Sequence, residues 1–133
     1  MKHSDDYEDF VDRLFQKRRA NGDGLLHAAI GIAGEAGEIL DAVKKRWVYG
    51  KELDREHLIE ELGDLIYYYQ MMCIVLNIDA DVPVQHNIDK LQKRYPNGYS
   101  DAAAIARADK AGAATGVPVY DFVPPDRPSV SEH

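Results

Sequence analysis

Hydrophobic positions recur at helical spacing along most of this chain. Tyr7, Phe10, Val11, Leu14 and Phe15 fall at i, i+3, i+4, i+7 and i+8, which predicts a first helix with one buried face. Ser4 stands where a cap is needed, with Asp5, Asp6 and Glu8 in the first turn, and Asn21-Gly22 ends the helix. A second helix is predicted from about Gly24 to about Tyr49, closed by Gly50. Its apolar stripe is Leu26, Ala29, Ile30, Ala33, Ala36, Leu40, Val43 and Trp47, and that stripe is expected to face the core. Asp54 is the expected cap of a third helix reaching Asn77. Its second half, LIYYYQMMCIVL, is apolar nearly all round and should be buried on every side, with another subunit helping to cover it. A fourth helix starts within Asp79–Pro83 and ends near Tyr95-Pro96, with Val84, Ile88, Leu91 and Tyr95 as its apolar stripe. Ser100 and Asp101 can cap a short Ala-rich helix to about Ala108.

No stretch alternates with period two over the length of a strand. The pattern therefore predicts an all-α, four-helix bundle-like domain over residues 1–109, with a short extra C-terminal helix. Residues 110–133 show no periodicity and read as an irregular or disordered tail.

Charge narrows the partners. With 23 acids against 16 Lys and Arg, the net charge is -7, which argues against a nucleic-acid or anionic-membrane surface. A small anionic ligand remains compatible, because a bound divalent cation reverses the local sign. No apolar run is long enough to span a bilayer, and the acidic start MKHSDDYEDF shows no secretory signal. The single cysteine, Cys73, excludes an internal disulfide; it suits a reducing cytoplasm and reads as a buried, inert thiol.

The second and third helices each carry two acids spaced i, i+3: Glu35 with Glu38, and Glu61 with Asp64. Such residues stand one turn apart on the same face. Antiparallel packing of the two helices would gather four carboxylates, which cannot all stay ionised in a small space without a cation. Oxygen ligands of this kind suit Mg²⁺, with Mn²⁺ as the alternative. The competing reading is two solvated faces. A di-iron site requires Glu-x-x-His twice, and this region offers only Asp54-x-x-His57. His57, one turn before Glu61, could orient a carboxylate or a water, or be a solvated helix residue. His27 could meet a ligand or pack the start of its helix. Asn87, Lys90 and Arg94 form a polar stripe able to offer an amide and two cations to a polyphosphate, or to lie in solvent. Lys44, Lys45 and Arg46 suit the dipole of the second helix, with phosphate contact as the alternative, and Trp47 is expected in the core, with stacking on a base as the alternative.

Three blocks then make a more specific pattern: LLHAAIGIAGEAGEILDAVKK, GKELDREHLIEELGDLIYYY and NIDKLQKRYPNGYS. In this order they resemble the MazG-type nucleoside triphosphate pyrophosphohydrolases, over about residues 25 to 108. The resemblance implies that Glu35, Glu38, Glu61 and Asp64 hold Mg²⁺ and that Asn87, Lys90, Arg94 and Tyr95 contact the triphosphate or shape its pocket. It implies hydrolysis between the α and β phosphates to a monophosphate and pyrophosphate, with Glu38 as a candidate base. It also implies a homo-oligomer, dimer or tetramer. A dUTP-specific enzyme of the same fold and a non-catalytic helical interaction module are the alternatives.

Overall fold

The computed structural model describes residues 5–19 and 22–110. Its helices are α1 (Asp5–Arg19), α2 (Gly24–Tyr49), α3 (Arg55–Leu76), α4 (Asp81–Arg94) and α5 (Asp101–Ala106), and no strand occurs among the described residues. The chain is all-α, as its periodicity predicts. The helices fall into two compact units, one reaching to Asp79 and one beginning at Ala80. Ser4, and the predicted tail apart from Lys110, lie outside the described residues.

The helix ends follow from local chemistry. The Asp54 side chain accepts a hydrogen bond from His57 N at 3.0 Å and so satisfies one of the orphan donors that open α3. Ser100 does the same for α5 through Ala103 N at 3.1 Å. Gly50 closes α2 in the left-handed region, at φ 65°, and its N–H reaches Lys45 O. Asn77 closes α3 at φ 53°.

In the first unit α3 packs against both α1 and α2. Val11, Phe15, Ala28 and Met71 form the core, with Tyr7, Tyr67, Tyr68, Met72, Ile74 and Val75 around them. Burial of a side chain such as Phe15 or Met71 contributes roughly 1.5–3 kcal/mol. The buried face of α1 is narrower than its pattern predicts: Val11 and Phe15 are enclosed, while Phe10 and Leu14 are exposed.

On α2 the structure reverses the expected orientation. The buried residues are Gly24, Ala28, Gly31 and Ala42. Leu26, Ala29, Ile30, Ala33, Ala36, Leu40, Val43 and Trp47 are all exposed, Trp47 by 84%. The cause is close packing. A Cβ on Gly31 would collide with the ring of Tyr68, so that ring lies directly on the α2 backbone. Small residues admit an aromatic from α3, and the large apolar residues turn outward.

The second unit is built on α4. Its expected apolar stripe is only partly covered, with Val84, Ile88 and Leu91 each at least 37% exposed. After α4 the chain turns through Gly98, whose φ of 93° favours glycine and whose N–H donates to Tyr95 O at 3.1 Å. The rings of Tyr95 and Tyr99 pack at 5.2 Å, and Tyr99 donates to Asp101. α5 ends in a left-handed Arg107, and Lys110 N donates to Arg107 O at 2.8 Å.

Candidate functional site

The face of α2 that meets α3 carries acid. Phase along the helix places Glu35 one turn beyond Gly31, beside the Tyr68 contact. From α3, Glu61 and Asp64 approach the same point. One carboxylate oxygen each from Glu35, Glu61 and Asp64 lies within 4.8 Å of the others. Glu61 is buried, Glu35 half-buried and Asp64 exposed, so the group opens to solvent on one side. Glu38, one turn along α2, is exposed and is not one of the three.

Crowding has an electrostatic signature. The Glu35 carboxyl is raised above the ordinary carboxylate value, first by desolvation, then by its hydrogen bond with Glu61 and the charges of Glu61, Asp64 and Glu38. Two carboxyl groups hydrogen-bond only when one holds a proton. A divalent cation among the three would offset two negative charges where a shared proton offsets one. The donor set, oxygen only and without thiolate, fits Mg²⁺ or Mn²⁺.

His57 and Tyr7 bear on the acids from α3 and α1. His57 Nδ1 lies 3.2 Å from Glu61 Oε1, so the histidine does orient a carboxylate. Tyr68 packs at 5.8 Å on His27 and at 5.2 Å on Tyr67. The His27 ring also meets Phe15 at 6.3 Å, which makes it a packed ring at the start of α2. From α1, the Tyr7 phenol is pushed up by burial, by Tyr67 and by the nearby charge of Asp64. Tyr7 therefore belongs to the surroundings of the acids, and nothing in its local sequence signals this. Tyr68 continues the stripe of Glu61 and Asp64 down α3, as helical spacing predicts, and Tyr67 follows Asp64 at i+3.

The basic end of α2 is engaged locally. Lys45 and Lys44 approach Asp41 at 2.7 and 3.8 Å, and Arg46 donates to Lys51 O at 3.4 Å. Burial pushes the Cys73 thiol up, in keeping with an inert side chain.

In the second unit, Asn87 is exposed and Lys90 half-buried on α4. Arg94 donates from Nε and Nη2 to the two carboxylate oxygens of Asp109, at 2.7 and 2.8 Å, and lies over the Tyr95 ring at 5.9 Å. Asp109 holds Arg94 more firmly protonated, and Arg94 holds the Asp109 carboxyl down to about 2. Sequence reasoning took Arg94 as an uncommitted cation and did not single out Asp109.

Comparison with known proteins converges on the same stretch. The family described as the MazG nucleotide pyrophosphohydrolase domain matches residues 25–99, which include Glu35, Glu38, Glu61, Asp64 and the α4 stripe. The Gene 37 protein of Mycobacterium phage L5 is 36% identical over 81 residues, which cover 57% of this chain and 70% of the phage protein. No solved structure matches the chain.

Proposed function

Because this chain belongs to the MazG nucleotide pyrophosphohydrolase family, we propose that it hydrolyses a nucleoside or deoxynucleoside triphosphate between the α and β phosphates, with Mg²⁺ as cofactor and Mn²⁺ able to replace it. The observation that carries this reading is the convergence of Glu35, Glu61 and Asp64 from two helices of the matched region. In this reading Glu35, Glu61 and Asp64 hold the cation, and Glu38 joins them from one turn away on α2. Once bound, the cation supplies charge neutralisation and orientation of the phosphate oxygens.

The protein groups do the rest. Asn87, Lys90, Arg94 and Tyr95 receive the triphosphate: an amide, two cations and a phenol suit phosphate oxygens and the rim of a pocket. Glu38 takes a proton from the attacking water. The water oxygen bonds to the α phosphorus, the bond to the bridging oxygen breaks, and pyrophosphate leaves. Residues 1–109 act as one domain in a cytoplasmic homo-oligomer, dimer or tetramer. The exposed stripe from Leu26 to Trp47 supports a second copy as the partner of α2. No helix among the described residues is long and apolar enough to cross a membrane.

The test is incubation with each dNTP and NTP in the presence of Mg²⁺ or Mn²⁺, with product analysis. Monophosphate and pyrophosphate are expected, and release of orthophosphate alone would place the cleavage elsewhere. Glu38→Gln and Asp64→Asn should each abolish turnover while leaving helical content unchanged. Absence of turnover on every nucleotide with either metal would favour the interaction module. Turnover confined to dUTP would identify the narrower enzyme.

A further inference from the structure

Arg94 is already paired, and the manner of its pairing is informative. Asp109 engages the side of the guanidinium: Nε donates to Oδ1 and Nη2 to Oδ2. A guanidinium has five N–H donors. Asp109 takes two of them, and Tyr95, whose ring lies under the guanidinium, also hydrogen-bonds this side chain. With the side edge held by Asp109, one N–H on Nη2 and one on Nη1 point forward from the tip as a parallel pair, the arrangement that bridges two phosphate oxygens.

Asp109 is well placed to keep this hold. Its side chain is only 2% exposed, against 17% for Arg94. The segment that carries it is braced by the Ser100 cap, the Tyr95–Tyr99 ring contact and the Lys110 to Arg107 hydrogen bond. Displacing Asp109 would strand a covered carboxylate without its partner. The residue also lies beyond residue 99, where the family match ends.

We propose that Asp109 is a positioning residue: it occupies the side edge of Arg94 and presents the tip of the guanidinium to a phosphate of the nucleoside triphosphate. The inference rests on the reading of Arg94 as a phosphate contact given above. Freed of Asp109, Arg94 keeps its charge but recovers the rotamer freedom of a long side chain, which must be lost again on binding. The effect therefore belongs in KM rather than kcat. The opposite role, a latch that neutralises Arg94 until substrate displaces it, predicts the opposite sign.

The experiment is a double-mutant cycle of Arg94→Ala and Asp109→Ala, read as KM and kcat with Mg²⁺ and a nucleoside triphosphate, with Asp109→Asn as the milder variant. Arg94→Ala should raise KM by about 30-fold, as loss of a charge-assisted phosphate contact does. Asp109→Ala should raise it about five- to tenfold with kcat within about twofold, and should add nothing in the Arg94→Ala background. An additive effect there would assign Asp109 a purely structural role and overturn the inference. A fall in KM on Asp109→Ala would establish the latch instead. If Arg94→Ala raises KM and Asp109→Ala does not, the inference fails while the role of Arg94 stands. If Arg94→Ala leaves KM unchanged, the role of Arg94 fails and takes the inference with it. NMR of the Arg94 Nε–H in the unaltered protein, assigned with Arg94→Lys, gives a reading independent of variant folding. The resonance should hold its position when Mg²⁺ and a triphosphate with a non-hydrolysable α–β bridge are added, and a shift to the free-arginine position would overturn the proposal.

Discussion

His57 is the residue whose role the structure sharpens most. Its Nδ1 contact with Glu61 fixes the direction of a buried carboxylate that would otherwise rotate. Partners that orient metal ligands typically contribute about 10- to 100-fold in metal affinity. His57→Ala should therefore weaken Mn²⁺ binding, measured by electron paramagnetic resonance, by about tenfold. His57→Asn places an amide N–H near the position of Nδ1 and should recover most of it. Glu35 gives a prediction with a definite sign in pH. Its folded carboxyl sits above the ordinary value. Between the ordinary and the raised value the folded chain binds more protons than the unfolded chain, so this group's contribution to stability falls as pH rises through that window. Thermal denaturation of metal-free protein should show Glu35→Gln gaining on the wild type across that window and staying more stable above it. Mn²⁺ should reverse the order at neutral pH. The convergence of Glu35, Glu61 and Asp64 was legible because acid spacing along a helix is a local rule, whereas Glu38, picked by the same rule, is not among the three. The approach of Tyr7 to Asp64 and the grip of Asp109 on Arg94 depend on turns between distant residues, which no local rule encodes.

At the scale of elements, ends were easier to read than faces. Asp54, Gly50 and Ser100 set boundaries through single hydrogen bonds or a positive φ, and these signals sit in the sequence itself. The facing of α2 did not follow from the rule that large apolar residues point inward. That rule assumes the contact is filled from the helix in question, whereas here Tyr68 fills it from α3 and α2 contributes only the space at Gly31. Gly34, by contrast, has open space where its Cβ would stand. Gly31→Ala should accordingly destabilise the fold by about 1–3 kcal/mol, the usual cost of overpacking a tight contact. Gly34→Ala should be neutral or mildly stabilising, since alanine favours a helix. Chemical denaturation of the two variants side by side is the check.

For the whole molecule, α2 is a helix with two different tasks on opposite sides. One side carries acid toward α3. The other carries Leu26, Ile30, Leu40 and Trp47 outward, and in the proposed homo-oligomer this exposed apolar surface is the one a second copy would cover. Sedimentation should find the wild type larger than a monomer. A double change of Ile30→Glu and Leu40→Glu should shift it to a monomer with its helical content retained.

The ring of Tyr68 lying on Gly31 has one further consequence. The ring fills the space between α3 and the α2 backbone at Gly31, and in the proposed metal site it would act as a calliper on the three carboxylates one turn away. Mg²⁺ takes oxygens at about 2.0–2.1 Å and Ca²⁺ at about 2.3–2.6 Å, a difference small enough for such a spacer to govern. Replacing Tyr68 by a thinner or a bulkier side chain should alter which ion radius the protein prefers, as measured by competition of Ca²⁺ against Mn²⁺, without touching a single charged group.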